Sequence, residues 1–250
     1  MTADLARWSI ETQPIITMCG YQQNRRSPEE RTAVENLKAG DKMAADARIV
    51  VIGEKKVGKS AVTVRFLTRR YIGEYESDSD LLYKQTVLQS DMQMNMEVLD
   101  TCTRVDLLKH RDDHVRWGNA FVITYSVCNR DTFRPVEAQI RWLQRCKAPC
   151  SVPIAIVGNM VDLEHRREVN PEEGRDLAEE YGCHFFEVSA AEGSAEVREA
   201  FLTVLRELHE AKKTKTQIKR RRSSVTRNVA NKVMQAVFGS PRRSRKISLP

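Results

Sequence analysis

The sequence predicts an α/β fold of three layers: a six-stranded, mostly parallel sheet with helices on both faces. Three observations carry this. The runs RIVVIG, AFVITYSV and PIAIVGN are near-continuous and apolar, as strands buried on both faces must be. Segments of helical period, DTFRPVEAQIRWLQRC, PEEGRDLAEEYG and SAEVREAFLTVLRELHE, lie between and after such runs, and this alternation suits parallel strands joined by helical crossovers. At 250 residues and 41% hydrophobic, the chain can bury one sizeable core with tails, but hardly two.

Taken in order, residues 1–46 carry a weak apolar patch (Trp8, Ile10, Ile15, Ile16, Met18) and then polar NRRSPEERTAVENLKAGDK. No period is sustained, so the expectation is a mostly disordered extension. RIVVIG, from Arg48, is the first strand, GEKKVGKS a loop, and KSAVTVRFLTRRYI a helix with apolar positions at Val62, Val64, Phe66 and Leu67. LYKQTVLQ and MQMNMEVLD read as two strands joined by a short polar turn, and AFVITYSV, PIAIVGN and HFFEVSA complete the six. One globular domain over 47–212 results, and ligands of such sheets sit at the carboxyl ends of the strands.

The net charge of +7 conceals an asymmetry: residues 211–250 hold 13 Lys or Arg and no acidic residue, leaving 28 basic against 34 acidic residues before them. An acidic body carries a basic tail, 213–250, and no nucleic-acid partner is expected. Within the tail, Val229/Ala230, Val233/Met234 and Val237/Phe238 form one apolar stripe of an amphipathic helix over 225–238, ended by Gly239 and Pro241. Such a segment suits an anionic membrane surface or calmodulin, KRRR suits nuclear import, and Ser223 and Ser224 would lower its charge if phosphorylated. No apolar run of membrane-spanning length and no secretory signal is present, so the expected location is cytoplasmic, with peripheral membrane or nuclear association through the tail. The six cysteines are scattered and read as reduced thiols; none follows Cys183, so no lipid anchor is expected.

The chemistry begins at GEKKVGKS, residues 53–60. Gly53 and Gly58 let backbone N–H groups converge on a phosphate, Lys59 reaches the outer phosphates, and Ser60 can ligate Mg²⁺. Glu54, Lys55, Lys56 and Val57 fill the loop and Ala61 follows it on the helix. A base is chosen elsewhere. NMVD, at 159–162 after PIAIVG, and VSA, at 188–190, lie at strand ends, and a carboxylate such as Asp162 would accept the N1–H and 2-amino hydrogens of guanine. Adenine would leave it unpaired at a cost of about 1–3 kcal/mol. An ATP-dependent enzyme on this sheet would need an adenine-tolerant pocket and a substrate lid, and neither is seen.

With these motifs in view, residues 47–212 resemble a Ras-type small GTPase. Lys59, Asp100, Asn159 and Ser189 fall at that family's spacings to within a residue, and VRFLTRRYIGEY is similar to the atypical branch that includes the Ras-related oestrogen-regulated growth inhibitor and Ras-like proteins without a prenyl box. The resemblance implies the P-loop GTPase fold, GTP/GDP as ligand and Mg²⁺ as cofactor. Asp100 would hold the metal through water, Tyr71 would stand against the base edge, Asn159 and Asp162 would fix guanine, and Ala190 would offer its N–H to the guanine oxygen. Effectors and regulators have no signature here.

Four departures touch the nucleotide. Thr103 stands at the switch glycine and Arg104 at the water-positioning glutamine, and a guanidinium cannot accept a hydrogen bond from water. Asp78 replaces the switch threonine; it offers Mg²⁺ a carboxylate but repels the triphosphate. Lys55 and Lys56 either add charge along the phosphates or splay into solvent, and bulk at Lys55 obstructs an arginine finger. Met160 replaces the lysine of N-K-x-D and Ala191 that of S-A-K, so the base pocket loses two cations and Met160 a tether to the loop. The expectation is a guanine-nucleotide-binding signalling protein that hydrolyses GTP slowly; the alternative is a pseudo-GTPase scaffold acting by surface recognition.

Overall fold

The computed structural model describes residues 15–18, 45–73, 79–89, 92–102, 111–214 and 217. Strands β1 (Ile15–Met18), β2 (Ala47–Gly53), β3 (Leu81–Gln89), β4 (Met92–Asp100), β5 (Ala120–Ser126), β6 (Ile154–Asn159) and β7 (His184–Val188) form one sheet. Their order is β1-β3-β4-β2-β5-β6-β7. β2 pairs in parallel with β4 and β5, and β5–β6 and β6–β7 are also parallel. Only β3 runs antiparallel within the expected six, joined to β4 from Leu81↔Asp100 to Gln89↔Met92.

The helices are α1 (Lys59–Thr68), α2 (Arg111–Trp117), α3 (Arg130–Phe133), α4 (Val136–Lys147), α5 (Pro171–Tyr181) and α6, over 195–214, with a 3₁₀ turn at Val161–Arg166. The chain divides into two compact units, Met1–Leu208 and His209–Pro250. The sheet and α1–α5 belong to the first. In the second, residues 209–214 are helical and Lys213 Nζ lies 3.1 Å from Glu210 Oε1.

Two details go beyond the expected pattern. Ile15–Met18 adds a seventh, antiparallel strand to the edge of β3, from Ile15↔Lys84 to Met18↔Leu81, while the remainder of 1–44 lies outside the described residues. Four residues are too few for a period to be read, and an edge supplies unpaired backbone groups to almost any extended segment. The stretch DTFRPVEAQIRWLQRC is two helices rather than one, because Pro135 has no N–H to give an interior turn and stands instead as the N-cap of α4. α5 shows the complementary signals: Pro171 at its first position, the Asn170 N–H donating to Glu173 Oε1 at 3.1 Å, and Gly182 closing it at φ 63°.

Period-two alternation sorts β5 between two cores. Ala120 and Val122 pack with Val62, Phe66, Phe201 and Leu205 on one face of the sheet. Phe121, Ile123 and Tyr125 pack with Val136, Ile140 and Leu143 on the other. Phe66 of α1 stacks on Phe201 of α6 with centroids 4.2 Å apart and planes 6° from parallel. This contact ties α1, which begins at the end of the loop after β2, to α6 on that face of the sheet. Among the described residues, no helix is long and apolar enough to cross a membrane. Cys102, Cys128, Cys146, Cys150 and Cys183 form no disulfide.

Candidate functional site

The carboxyl ends of β2, β6 and β7 meet at the start of α1. Gly53 ends β2 at φ 149°, and a Cβ there would lie 2.1 Å from the Thr124 carbonyl oxygen of β5, so only glycine lets the two strands approach this closely. Gly58 adopts φ 86° as the N-cap of α1, and a Cβ there would come within 2.3 Å of Asn159 Nδ2. Between them Val57 is fully buried and anchors the loop, whereas Lys55 and Lys56 are exposed, Lys56 at φ 64°. Lysine was possible at 55 and 56 because both point away from the core.

Lys59 is the buried exception. Its Nζ donates to the carbonyls of Gly53 (3.2 Å) and Glu54 (2.8 Å), curling back over the loop. Burial pulls its pKa down, opposed chiefly by Asp100 and then by Cys102, Glu54 and Asp80. Asp100, at the end of β4, is 2% exposed and neither carboxylate oxygen meets a hydrogen-bond partner in good geometry. Burial raises its pKa to about 6, against the opposing pull of Ser60 and Lys59. An orphaned buried carboxylate beside the Ser60 hydroxyl is a donor set that fits a hard divalent cation.

At the end of β6, Asn159 is 2% exposed and uses both ends of its amide. Nδ2 donates to the Val57 carbonyl at 3.0 Å and Oδ1 accepts from the Ala190 N–H at 3.1 Å. A guanine oxygen at Ala190 would therefore share that N–H with Asn159. Ser189 Oγ donates to Asp162 Oδ1 at 2.7 Å and accepts from the Glu192 N–H at 3.0 Å, so one oxygen of the half-buried carboxylate is held by the turn after β7. The 3₁₀ turn carrying Asp162 is held to β7 by Arg167, which donates to Glu187 at 2.6 and 3.0 Å and to Glu164 at 2.8 Å.

Met160 sits at φ 73° and accepts from Ser126 Oγ at 3.2 Å. Its Cε lies 3.8 Å from where a Gly58 Cβ would be, so the thioether lies near the loop while contributing no charge. Tyr71 is 51% exposed, with the Arg65 guanidinium 5.8 Å from its ring centroid. Asp78, Thr103 and Arg104 lie outside the described residues, as do Ser223, Ser224 and the helix expected over 225–238.

Sequence reasoning missed two features. Asp80 accepts the Cys102 N–H at 2.7 Å and pairs with His114 Nε2 at 3.0 Å, tying the entry to β3, the exit of β4 and α2 together. Arg65 of α1 donates to the carbonyls of Ala190 and Ala191. A cation that holds the turn after β7 thus comes from a helix, not from the strand-end motifs.

The sequence pattern that defines the Ras family matches residues 48–210. The chain belongs to the Ras family. Over 196 residues it is 36% identical to human Ras-related and estrogen-regulated growth inhibitor, an alignment covering 78% of this chain and 98% of that protein. It is 37% identical over 205 residues to the bovine Ras-related and estrogen-regulated growth inhibitor-like protein, covering 80% of this chain and 98% of the relative. Ras-like protein family member 11B of Xenopus tropicalis is 32% identical over 206 residues, covering 80% and 83%. For a Ras-family domain, the loop between β2 and α1 and the ends of β4, β6 and β7 are where the described geometry converges.

Asp100 gives a prediction for the ligand-free domain. Its folded pKa lies above its ordinary value of 3.8, so its favourable contribution to stability is complete below that value and is lost as pH rises through about 6. Replacement by the neutral amide, Asp100→Asn, is expected to stabilise the EDTA-treated domain at pH 7.5 by about 3 kcal/mol at most, the gain shrinking toward pH 4. Urea unfolding of both proteins at three pH values measures it; a loss of stability at pH 7.5 contradicts the assignment.

Proposed function

We propose that this Ras-family protein binds GTP and GDP with Mg²⁺ and rejects adenine nucleotides. The observation that supports the reading is the bridge from Asn159 to both the Gly53–Gly58 loop and Ala190, whose neighbour Ser189 holds the Asp162 carboxylate. The N–H groups around Gly58 and the Lys59 ammonium would take the phosphates. Ser60 and Asp100 would hold Mg²⁺, which neutralises phosphate charge when bound; Asp78 is a further candidate ligand. Asp162 would accept from guanine N1 and the 2-amino group, and Tyr71 would cover the base edge.

Hydrolysis is proposed to be slow. Arg104 cannot accept a hydrogen bond from an attacking water, and Thr103 lacks the backbone freedom of glycine. The protein would act in signalling through the surface it presents with nucleotide bound, and a pseudo-GTPase scaffold is the limit of this reading at zero turnover. The basic tail is proposed to hold the cytoplasmic protein at an anionic membrane surface or in the nucleus. Imaging it beside a version ending at Ala211 tests that, since identical diffuse distributions would leave the tail without such a role.

Calorimetry with GDP, GTP and ATP is expected to give binding to the first two only. Asp162→Ala should weaken GDP by about tenfold or more, the equivalent of 1.4 kcal/mol, and leave ATP unaffected. Equal affinity for ATP and GTP would sink the guanine assignment. In single-turnover assays the GTPase rate is expected to fall below the order of 10⁻⁴ per second of an unassisted Ras protein, and Arg104→Gln to raise it. A faster wild-type rate abolished by Arg104→Ala would show instead that Arg104 supplies its own route.

A further inference from the structure

Each of the three guanidinium nitrogens of Arg65 donates to a backbone carbonyl. Nε donates to the Ala190 carbonyl at 2.6 Å, Nη2 to the Ala191 carbonyl, and Nη1 to the Arg69 carbonyl at 2.9 Å. Its Cζ lies 5.8 Å from the centre of the Tyr71 ring. Arg69 is the left-handed C-cap of α1, at φ 62°, and its own N–H returns to the Arg65 carbonyl at 2.9 Å. One side chain therefore joins the end of α1, the approach to Tyr71 and the turn after β7.

The Ala190 peptide is consequently held from both sides. Its N–H is accepted by Asn159 of β6 and its carbonyl is taken by Arg65 of α1. The preceding residue, Ser189, orients the Asp162 carboxylate. A shift of this turn would move the Ala190 N–H and the Asp162 acceptor together. Where the S-A-K pattern would bring a lysine side chain, Ala191 contributes only a carbonyl, and Met160 replaces the other lysine. The cation that orders the turn comes instead from α1.

We propose that Arg65 is the positioning residue for guanine selectivity in this protein: through Ala190 and Ala191 it sets the base-reading turn, and through Tyr71 it keeps the ring at the base edge. The inference rests on the guanine-nucleotide reading above. A planar fork suits this task, because its donors are spread over three nitrogens, whereas the three N–H groups of an ammonium radiate from a single atom and cannot span the same carbonyls at once. Lysine at 65 would keep the charge and the aliphatic stem but only part of the function. Phosphate binding at Gly53, Gly58 and Lys59 does not pass through this side chain.

The test compares wild type, Arg65→Lys, Arg65→Gln and Arg65→Ala for release of fluorescent GDP, for equilibrium affinity toward GDP, IDP and ADP, and for thermal unfolding in EDTA. IDP lacks the 2-amino group that Asp162 would accept. Arg65→Ala and Arg65→Gln are expected to release GDP at least about tenfold faster and to narrow the GDP-to-IDP and GDP-to-ADP ratios, with ADP affinity unchanged and Arg65→Lys intermediate. An equal fall in affinity for all three nucleotides, or loss only of thermal stability, would overturn the proposal by reducing Arg65 to a structural staple. Unchanged release and ratios in a wild type that prefers GDP would overturn it while leaving the guanine reading intact. A wild type with no preference for GDP over ADP would overturn both. Should Arg65→Ala fail to fold, Arg65→Lys decides alone: release and ratios equal to wild type refute the proposal.

Discussion

The site depends on a single buried amide. Asn159 stands where β6 ends, donating to the loop that precedes α1 and accepting from the turn that follows β7. A carboxylate could accept but not donate here, and an aliphatic side chain would leave a buried carbonyl and a buried N–H unpaired at about 1–3 kcal/mol each. The bridge is also why Gly58 must be glycine, since the amide occupies the space a Cβ would need. Sequence identity at one position thus constrains backbone conformation 101 residues away in the chain.

Around this bridge the charges are arranged so that burial is costly until something is bound. Lys59 is drawn down in pKa and Asp100 drawn up, each by desolvation, and they only partly compensate one another. Lys59 relieves its cost with two loop carbonyls; Asp100 has no such bonds. A fold that leaves a carboxylate in this condition has given up stability that a cation can restore. Stability elsewhere comes from ordinary sources: two cores on opposite faces of the sheet and the Phe66–Phe201 stack beneath α1.

Much of this was legible in the residues because the constraints are local. Gly53 and Gly58 are required by backbone torsions and close approach, and β-branched runs announce central strands wherever both faces are covered. Asp100, Asn159 and Ser189 fall at strand ends for the same reason that ligands do. Less legible were features whose partners are carbonyls or distant chain. Arg65 acts on residues 125 and 126 positions away through backbone oxygens, which every residue possesses and no sequence marks. Pro135 was visible, but the helical period on either side masked the break it causes. The strand at Ile15–Met18 is defined by pairing with an existing edge, and nothing within those four residues demands it.

The central claim is that Asn159 makes the β2–α1 loop and the turn after β7 one mechanical unit. Hydrogen–deuterium exchange followed over residues 53–61 and 188–193, in wild type and in Asn159→Ala without nucleotide, addresses it most directly. The account predicts that both segments lose protection together in the variant while β5 keeps its own. Loss confined to one segment, or no loss in either, would contradict it.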